Sequence, residues 1–593
     1  MEDVGAGYGH PETMQALRAS QLKRRLIILA TLINEASERW PGDVERGGLR
    51  SAYERLCAID EQRPQLVEEM LLYPNTGAWL SYAMRRIRRG SASNKPLWPD
   101  LGYLGWLAAS AAAQLGEAGA MPVVIRAGVV LLPGKGLAKL SSEEVDGVGE
   151  VRWDRSGLRD VRWSAVEVRV CEPSDGQDVS WKPLRGLRSP HGNGLEVYLD
   201  DVDPFRPLDR VRQTYPAHPT VGRLADDMAR EWQEKFDGAW ELLNRDFGGY
   251  AAPMASDLRA IVPLTASPTG EGASSASTEA FGSINMSAPS GQHQMALNLI
   301  HEFQHAKLGA LTDMVRLHEE YDQRTFYAPW RDDPRPLGGL LQGIYAHIGV
   351  TEFWRVHRTR PDVDVALAEV EFARWRTQVN QALAEVRKSG LLTVEGVVFV
   401  DAMTTAVLGW RDERVSAEAD TIAEETSTAH WVAWCVRNLA PQADTVRQLL
   451  DRWSSGQPAG EIPPSELVDQ ARVPMGHRSA LSPSYMKLLA SRTTFGGTPS
   501  AIKPSPGESA FMLGDDHQAI SLFERELAED PMHPRPWAGV VLAIRRRCPG
   551  ANLSLLLRRA DVVAHLFDAI RRAGGTGDLL SLSTWLSGSA RHD

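Results

Sequence analysis

The sequence predicts a mainly helical α+β fold, on three observations. Long stretches place apolar residues at helical spacing. A block of short alternating or β-branched segments lies between residues 121 and 199. A helix-patterned segment further on carries His301-Glu302-Phe303-Gln304-His305.

Residues 1–120 read as an N-terminal helical region, with 12–39 and the alanine-rich 104–118 as its clearest helices. Lys23-Arg24-Arg25 followed by Leu26 to Ile33 mimics a signal peptide, but the apolar run is short and Asn34-Glu35-Ala36 continues the helix. Residues 121–215 form a strand-rich region, with strands expected at 121–132, 148–153, 161–170 and 195–199. Pro133-Gly134-Lys135-Gly136 is a turn that lacks the rest of a phosphate-binding loop. Asp200-Asp201-Val202-Asp203-Pro204 closes this region as a solvated turn, with cation binding as the alternative. Residues 216–480 form the catalytic region, with helices at 337–354, 364–388 and 417–438. Residues 481–593 are a C-terminal helical region after a Pro/Ser/Gly-rich stretch, and residues 518–523 with 534–547 suggest one tetratricopeptide-like hairpin without repeated partners.

The HExxH segment carries the chemistry. Residues four apart share a helix face, so His301 and His305 can direct two imidazoles at one metal ion. Leu297, Ile300, Leu308, Leu311 and Val315 supply the apolar stripe that a helix here requires. The bland alternative is two histidines on a solvated helix face. A zinc peptidase would use this pair as ligands and Glu302 as general base. The extended metzincin pattern is excluded, because its glycine and third histidine are replaced by Leu308 and Leu311. Glu319 and Glu320 follow closely, at the expected end of the same helix, and would struggle to fold back as a third ligand. His347, in an apolar helix after a loop with three prolines, is the better source, with a hydrogen-bonded core histidine as the alternative. His318, His357 and His430 are rivals, the first two flanked by charges that suggest solvent. Before the helix, 272–278 is small and polar. Residues 280–287 alternate as an edge strand would, able to take an extended peptide by strand addition or to lie buried in its own sheet.

At these residues the chain resembles the HEXXH-motif family, the 2-oxoglutarate-dependent HExxH-type peptide β-hydroxylases of ribosomally synthesised peptide clusters. The resemblance rests on Ala280-Phe281-Gly282, on His301 to Leu308, and on the Tyr327-to-Arg335 loop running into Gly343-Ile344-Tyr345-Ala346-His347. It extends more weakly to Tyr73-Pro74-Asn75-Thr76-Gly77-Ala78-Trp79-Leu80 and Pro534-Arg535-Pro536-Trp537-Ala538-Gly539. It implies iron(II) as the metal, 2-oxoglutarate and O2 as cosubstrates, and a precursor peptide as the substrate hydroxylated at a side-chain β-carbon. An iron oxygenase needs three protein ligands on one side and open positions opposite. His301, His305 and His347 are the expected set, an imidazole standing where the usual triad has a carboxylate. The distal carboxylate of 2-oxoglutarate needs a fixed guanidinium, for which Arg335 and Arg331 are the candidates. Their alternative is bridging Asp332 and Asp333 at the surface. Glu302 would then orient a ligand or the substrate instead of activating water. A zinc metallopeptidase and a non-catalytic peptide-binding scaffold remain the alternatives.

Composition bounds these readings. At 593 residues, 43% hydrophobic and 24% charged, the chain is long enough for several domains and reads as globular. A net charge of -11 gives no electrostatic reason to bind nucleic acid or an anionic membrane. Four cysteines without paired spacing argue against a disulfide framework, and a reducing cytoplasm is the expected compartment. No apolar run reaches the length of a membrane span.

Overall fold

The computed structural model describes residues 1–89, 95–170, 180–192, 194–206, 222–265, 272–320, 322–361, 363–468, 504–575 and 577–588. The fold is α+β and mainly helical. Its described residues divide into two compact units, those up to Arg316 and those from Leu317 on. The boundary after Arg316 falls inside the 216–480 region. The HExxH helix therefore belongs to the first unit, and Arg331, Arg335 and His347 to the second.

The first unit begins with a helical layer. Pro11–Arg39 is one continuous helix through the Lys23-Arg24-Arg25 segment, and Arg25 is buried in it. Pro74–Arg89 and the apolar Tyr103–Ala112 follow, the latter shorter than the expected 104–118. The strand-rich region is more finely divided than expected. β1 (Gly119–Ile125), β4 (Gly147–Asp154), β5 (Gly157–Trp163) and β6 (Val166–Arg169) form an antiparallel meander-like sheet in the order β1-β4-β5-β6. β2 (Val129–Leu132), β3 (Gly136–Lys139) and β7 (Trp181–Pro183) form a second sheet, with the Pro133–Lys135 turn closing the β2–β3 hairpin. Leu131, Leu132, Val151 and Val161 join Trp106 and Leu107 in the core of this region.

A third sheet positions the HExxH helix. Its strands are β8 (Arg185–Ser189), β9 (Leu195–Leu199), β10 (Ala260–Leu264), β11 (Ser274–Ala276) and β12 (Ser283–Ser287), in the order β11-β12-β10-β9-β8. β10 is parallel to both β9 and β12 and buried along its whole length, so it reads as a continuous apolar run. The expected edge strand at 280–287 is corrected: its strand, β12, is interior, paired on both sides and fully buried. Among the described residues the edge is β11, drawn from the small polar stretch before it.

The second unit is helical. Val365–Lys388 packs against Leu337–His357, Val394–Leu408 and Ala417–Asn438, and Asp364, Thr393 and Ser416 each cap the following helix with a side-chain oxygen. Leu337–His357 is apolar on most of its circumference because it is buried on most of it. The expected C-terminal hairpin is Asp516–Glu529 with Pro534–Arg547, and Phe511, Phe523, Trp537, Val563 and Phe567 share its core. Further helices at Pro506–Met512 and Ala560–Arg572 join it, so it is part of a larger helical cluster. Residues 481–503 of the Pro/Ser/Gly-rich stretch lie outside the described residues. No helix among the described residues is long and apolar enough to cross a membrane.

Candidate metal centre

The HExxH motif occupies the middle of the Gln292–Thr312 helix, which Met295, Leu299, Ile300, Phe303 and Leu308 anchor in the core. One turn apart, His301 and His305 bring their Nε2 atoms to 3.2 Å with ring planes at 80°. Two nitrogens bound to one metal at about 2.0–2.1 Å, at octahedral to tetrahedral angles, lie roughly 2.8–3.4 Å apart. The pair therefore fits a shared metal ion, and the same spacing also allows one ring to hydrogen-bond the other. Among the described residues no group of three or more His, Cys, Asp or Glu side chains is arranged to hold a metal.

Glu302 turns away from solvent. It is 2% exposed, its Oε1 accepts a hydrogen bond from the Ser274 hydroxyl at 2.7 Å, and the same oxygen lies 3.9 Å from His301 Nε2. Burial pushes its carboxyl up to about 7, against the opposing effects of the Ser274 hydroxyl and the Ala276 backbone N–H. Its other oxygen, Oε2, is buried without a hydrogen-bond partner. The sequence does not single out Ser274; its only signal there is its place in the small polar stretch before the motif.

In the second unit, His347 is buried in the Leu337–His357 helix. Its ring is stacked on Trp330 at 4.4 Å and 16° and tilted against Trp375 at 4.4 Å. Nδ1 lies 2.8 Å from the Gly343 carbonyl and can only donate to it, which leaves the lone pair of the neutral ring on Nε2. That is the posture of many metal-ligating histidines, and also of a satisfied core histidine. β13 (Thr325–Phe326) and β14 (Arg335–Pro336) fold the preceding proline-rich loop into a short ribbon. Within it Arg331 Nε pairs with Asp333 at 2.7 Å and Arg335 Nη1 with the other oxygen of Asp333 at 3.3 Å. Against the opposing effect of burial, the two guanidiniums lower the Asp333 pKa, and Asp333 is a carboxylate they share.

The rival histidines separate clearly. His318 is half-buried, its Nδ1 at 2.9 Å from the Glu319 carbonyl. His357 is buried, contrary to its charged flanks, and stacks on Phe353 at 4.9 Å. His430 Nδ1 meets the Tyr327 hydroxyl at 2.8 Å, and burial lowers its pKa to about 4. The HExxH helix ends at Thr312, so Glu319 and Glu320 are not on its end but in the following loop.

The expected solvated turn at Asp200 to Pro204 is also corrected. Asp200, Asp201 and Asp203 are buried. Tyr73 and Asn75 donate to Asp200, Arg185 and Arg223 pair with Asp201, and Tyr103 donates to Asp203. These partners use the carboxylates for packing, which accounts for the turn without a cation.

No protein-family model matches this chain, and no curated protein matches it.

Proposed function

We propose that this protein is an iron(II)- and 2-oxoglutarate-dependent oxygenase that hydroxylates a side-chain β-carbon of a ribosomally synthesised precursor peptide. The observation that carries the metal is the 3.2 Å spacing of His301 and His305 Nε2. Bound iron would couple decarboxylation of 2-oxoglutarate to succinate and CO2 with insertion of the second atom of O2 into a peptide C–H bond. By the resemblance, His347 would be the third ligand. Arg335, with Arg331 as alternative, is assigned to the distal carboxylate, a contact that a 2-oxo acid requires and a zinc hydrolase does not. Glu302, tied to Ser274, is assigned to positioning.

A zinc metallopeptidase is the second reading, favoured by one observation. A glutamate pushed up to about 7 within 3.9 Å of a ligand nitrogen has the properties of a general base. Anaerobically purified protein, incubated with iron(II), 2-oxoglutarate, O2 and a candidate precursor peptide, separates the readings by mass spectrometry. A gain of one oxygen with matching succinate supports the oxygenase. Peptide cleavage with zinc, independent of 2-oxoglutarate, replaces it with the peptidase. Binding without chemical change leaves a scaffold.

A further inference from the structure

The sheet edge beside the HExxH helix is unlike a protected edge. Natural edges carry lysines, prolines or bulges that discourage pairing. β11 and its flanks read Gly272-Ala273-Ser274-Ser275-Ala276-Ser277-Thr278, with no charge, no proline and no bulky side chain. Its inner side is committed, because Ser287 N donates to the Ala273 carbonyl at 2.8 Å and the register continues as Ser274↔Met286, Ser275↔Asn285 and Ala276↔Ile284. Antiparallel pairing alternates, so Ala273 and Ser275 point their main-chain groups at β12, and Ser274 and Ala276 point theirs outward. No strand among the described residues pairs with that outer side.

Glu302 adds the second observation. Its carboxyl is held beside this edge by the Ser274 hydroxyl, yet Oε2, nine-tenths buried or more with its residue, has no hydrogen-bond donor. The Ala276 N–H faces the same carboxyl and favours its charged form. A buried carboxylate oxygen without a donor is costly, and such sites call for a missing partner. A main-chain N–H of a docked peptide would supply the donor that Glu302 Oε2 lacks.

We propose that the substrate peptide docks in extended form along the outer edge of β11, with Glu302 as an acceptor for its backbone. Glu302 is then a positioning residue that sets which stretch of peptide lies beside the His301–His305 pair. This rests on the reading of the protein as a peptide-modifying enzyme, and it narrows the substrate to a segment that is extended and recognised through its main chain. Side-chain selectivity at this edge is low, since Ser274, Ser275 and Ala276 offer no pocket-forming bulk.

The test uses the full-length protein and a pool of random-sequence octapeptides, acetylated and amidated, with a backbone N-methylated pool as control. Binding is expected to protect the Ser274–Ala276 amides from hydrogen exchange, and N-methylation to abolish it. Ala276→Pro removes an outward N–H at a position where an edge tolerates proline, and should weaken the pool about ten-fold. Glu302→Ala should weaken it similarly, Glu302→Gln, which keeps an acceptor oxygen, by less than about three-fold, and Ser275→Ala not at all. Undiminished binding in both Ala276→Pro and Glu302→Ala, or protection elsewhere than 274–276, overturns the dock. So does an absence of binding to the wild type. The reaction is judged separately: one-oxygen gain that persists in Ala276→Pro defeats the dock and leaves the oxygenase, whereas docking at 274–276 with no oxidation and no binding of 2-oxoglutarate does the reverse.

Discussion

Tyr73 donates its hydroxyl to Asp200 at 2.5 Å, joining the Tyr73-to-Leu80 motif to the turn that follows β9. Asn75 donates to the same carboxylate oxygen, and the other oxygen accepts the Val202 and Asp203 amides. Arg25 binds the Leu71 and Tyr73 carbonyls from the opposite side at 2.6 and 3.0 Å. The motif thus braces the sheet on which the HExxH helix rests.

Beside that bond, burial and the neighbouring Asp200 push the Asp203 carboxyl up from 3.8 to about 7. A raised carboxyl favours the folded state most when protonated, so its contribution is full below about pH 4. It is lost as pH rises toward 7, then stays constant. Asp203→Asn, which keeps an acceptor for the Phe205 amide, should flatten this part of the profile. Its unfolding midpoint should gain on the wild type between pH 5 and pH 8, measured by thermal denaturation.

Gly77 has no room for a side chain. A Cβ there would lie 2.1 Å from the Glu279 carbonyl oxygen and 3.1 Å from Arg25 Nε. Gly77→Ala should cost roughly 1–3 kcal/mol in chemical denaturation through forced displacement of the 279–282 turn. Gly282 has φ +87, and a Cβ added to it would lie 2.7 Å from the Asp257 carbonyl oxygen, so it should tolerate alanine no better.

Lys307 is buried two residues beyond His305, and its Nζ donates to the Gly7 and Tyr8 carbonyls at 2.7 and 2.8 Å. Burial lowers its pKa from 10.5 to about 7, opposed by Asp3. The sign is opposite to that of Asp203: stability rises with pH between about 7 and 10, and is lost as pH falls back to 7. Lys307→Met should remove that slope and cost about 1–3 kcal/mol near neutrality. It should also speed hydrogen exchange in residues 3–8.

Arg335→Ala should weaken 2-oxoglutarate about 10- to 100-fold, the worth of a charge-assisted bidentate contact of roughly 1.5–3 kcal/mol, while iron content holds. His347→Gln should lower iron content first and cosubstrate affinity as a consequence. Parallel titration of iron and 2-oxoglutarate reads both. Unchanged cosubstrate affinity in Arg335→Ala moves the assignment to Arg331, and full iron in His347→Gln removes His347 from the ligands.

Periodic features are legible in the sequence. Pro534–Arg547 and Ala417–Asn438 form helices at the expected residues, because their apolar spacing is matched by packing. His301 and His305 need only the i, i+4 rule. Features set by distant partners are not legible. Asp200 to Asp203 looks like any acidic turn until Tyr73 and Tyr103, which lie 127 and 100 residues before their respective partners Asp200 and Asp203, are brought onto it. β11 has no β-branched residue and becomes a strand only through β12, so the sequence pattern places the edge one strand too late. His357 has charged neighbours in sequence but Phe353 and Trp354 on its helix face.

The strand order β11-β12-β10-β9-β8 also dictates an order of assembly. Parallel neighbours cannot be joined by a tight turn, and β10 is flanked by parallel strands at 195–199 and 283–287. As the chain is synthesised, the sheet's centre must wait for its last strand, and the helix bearing both histidines emerges only five residues after that strand ends, at Gln292. Such distant pairing is slow to form and leaves β10 exposed in the interim. Ribosome-bound chains halted before residue 283 should therefore be the ones that need chaperones.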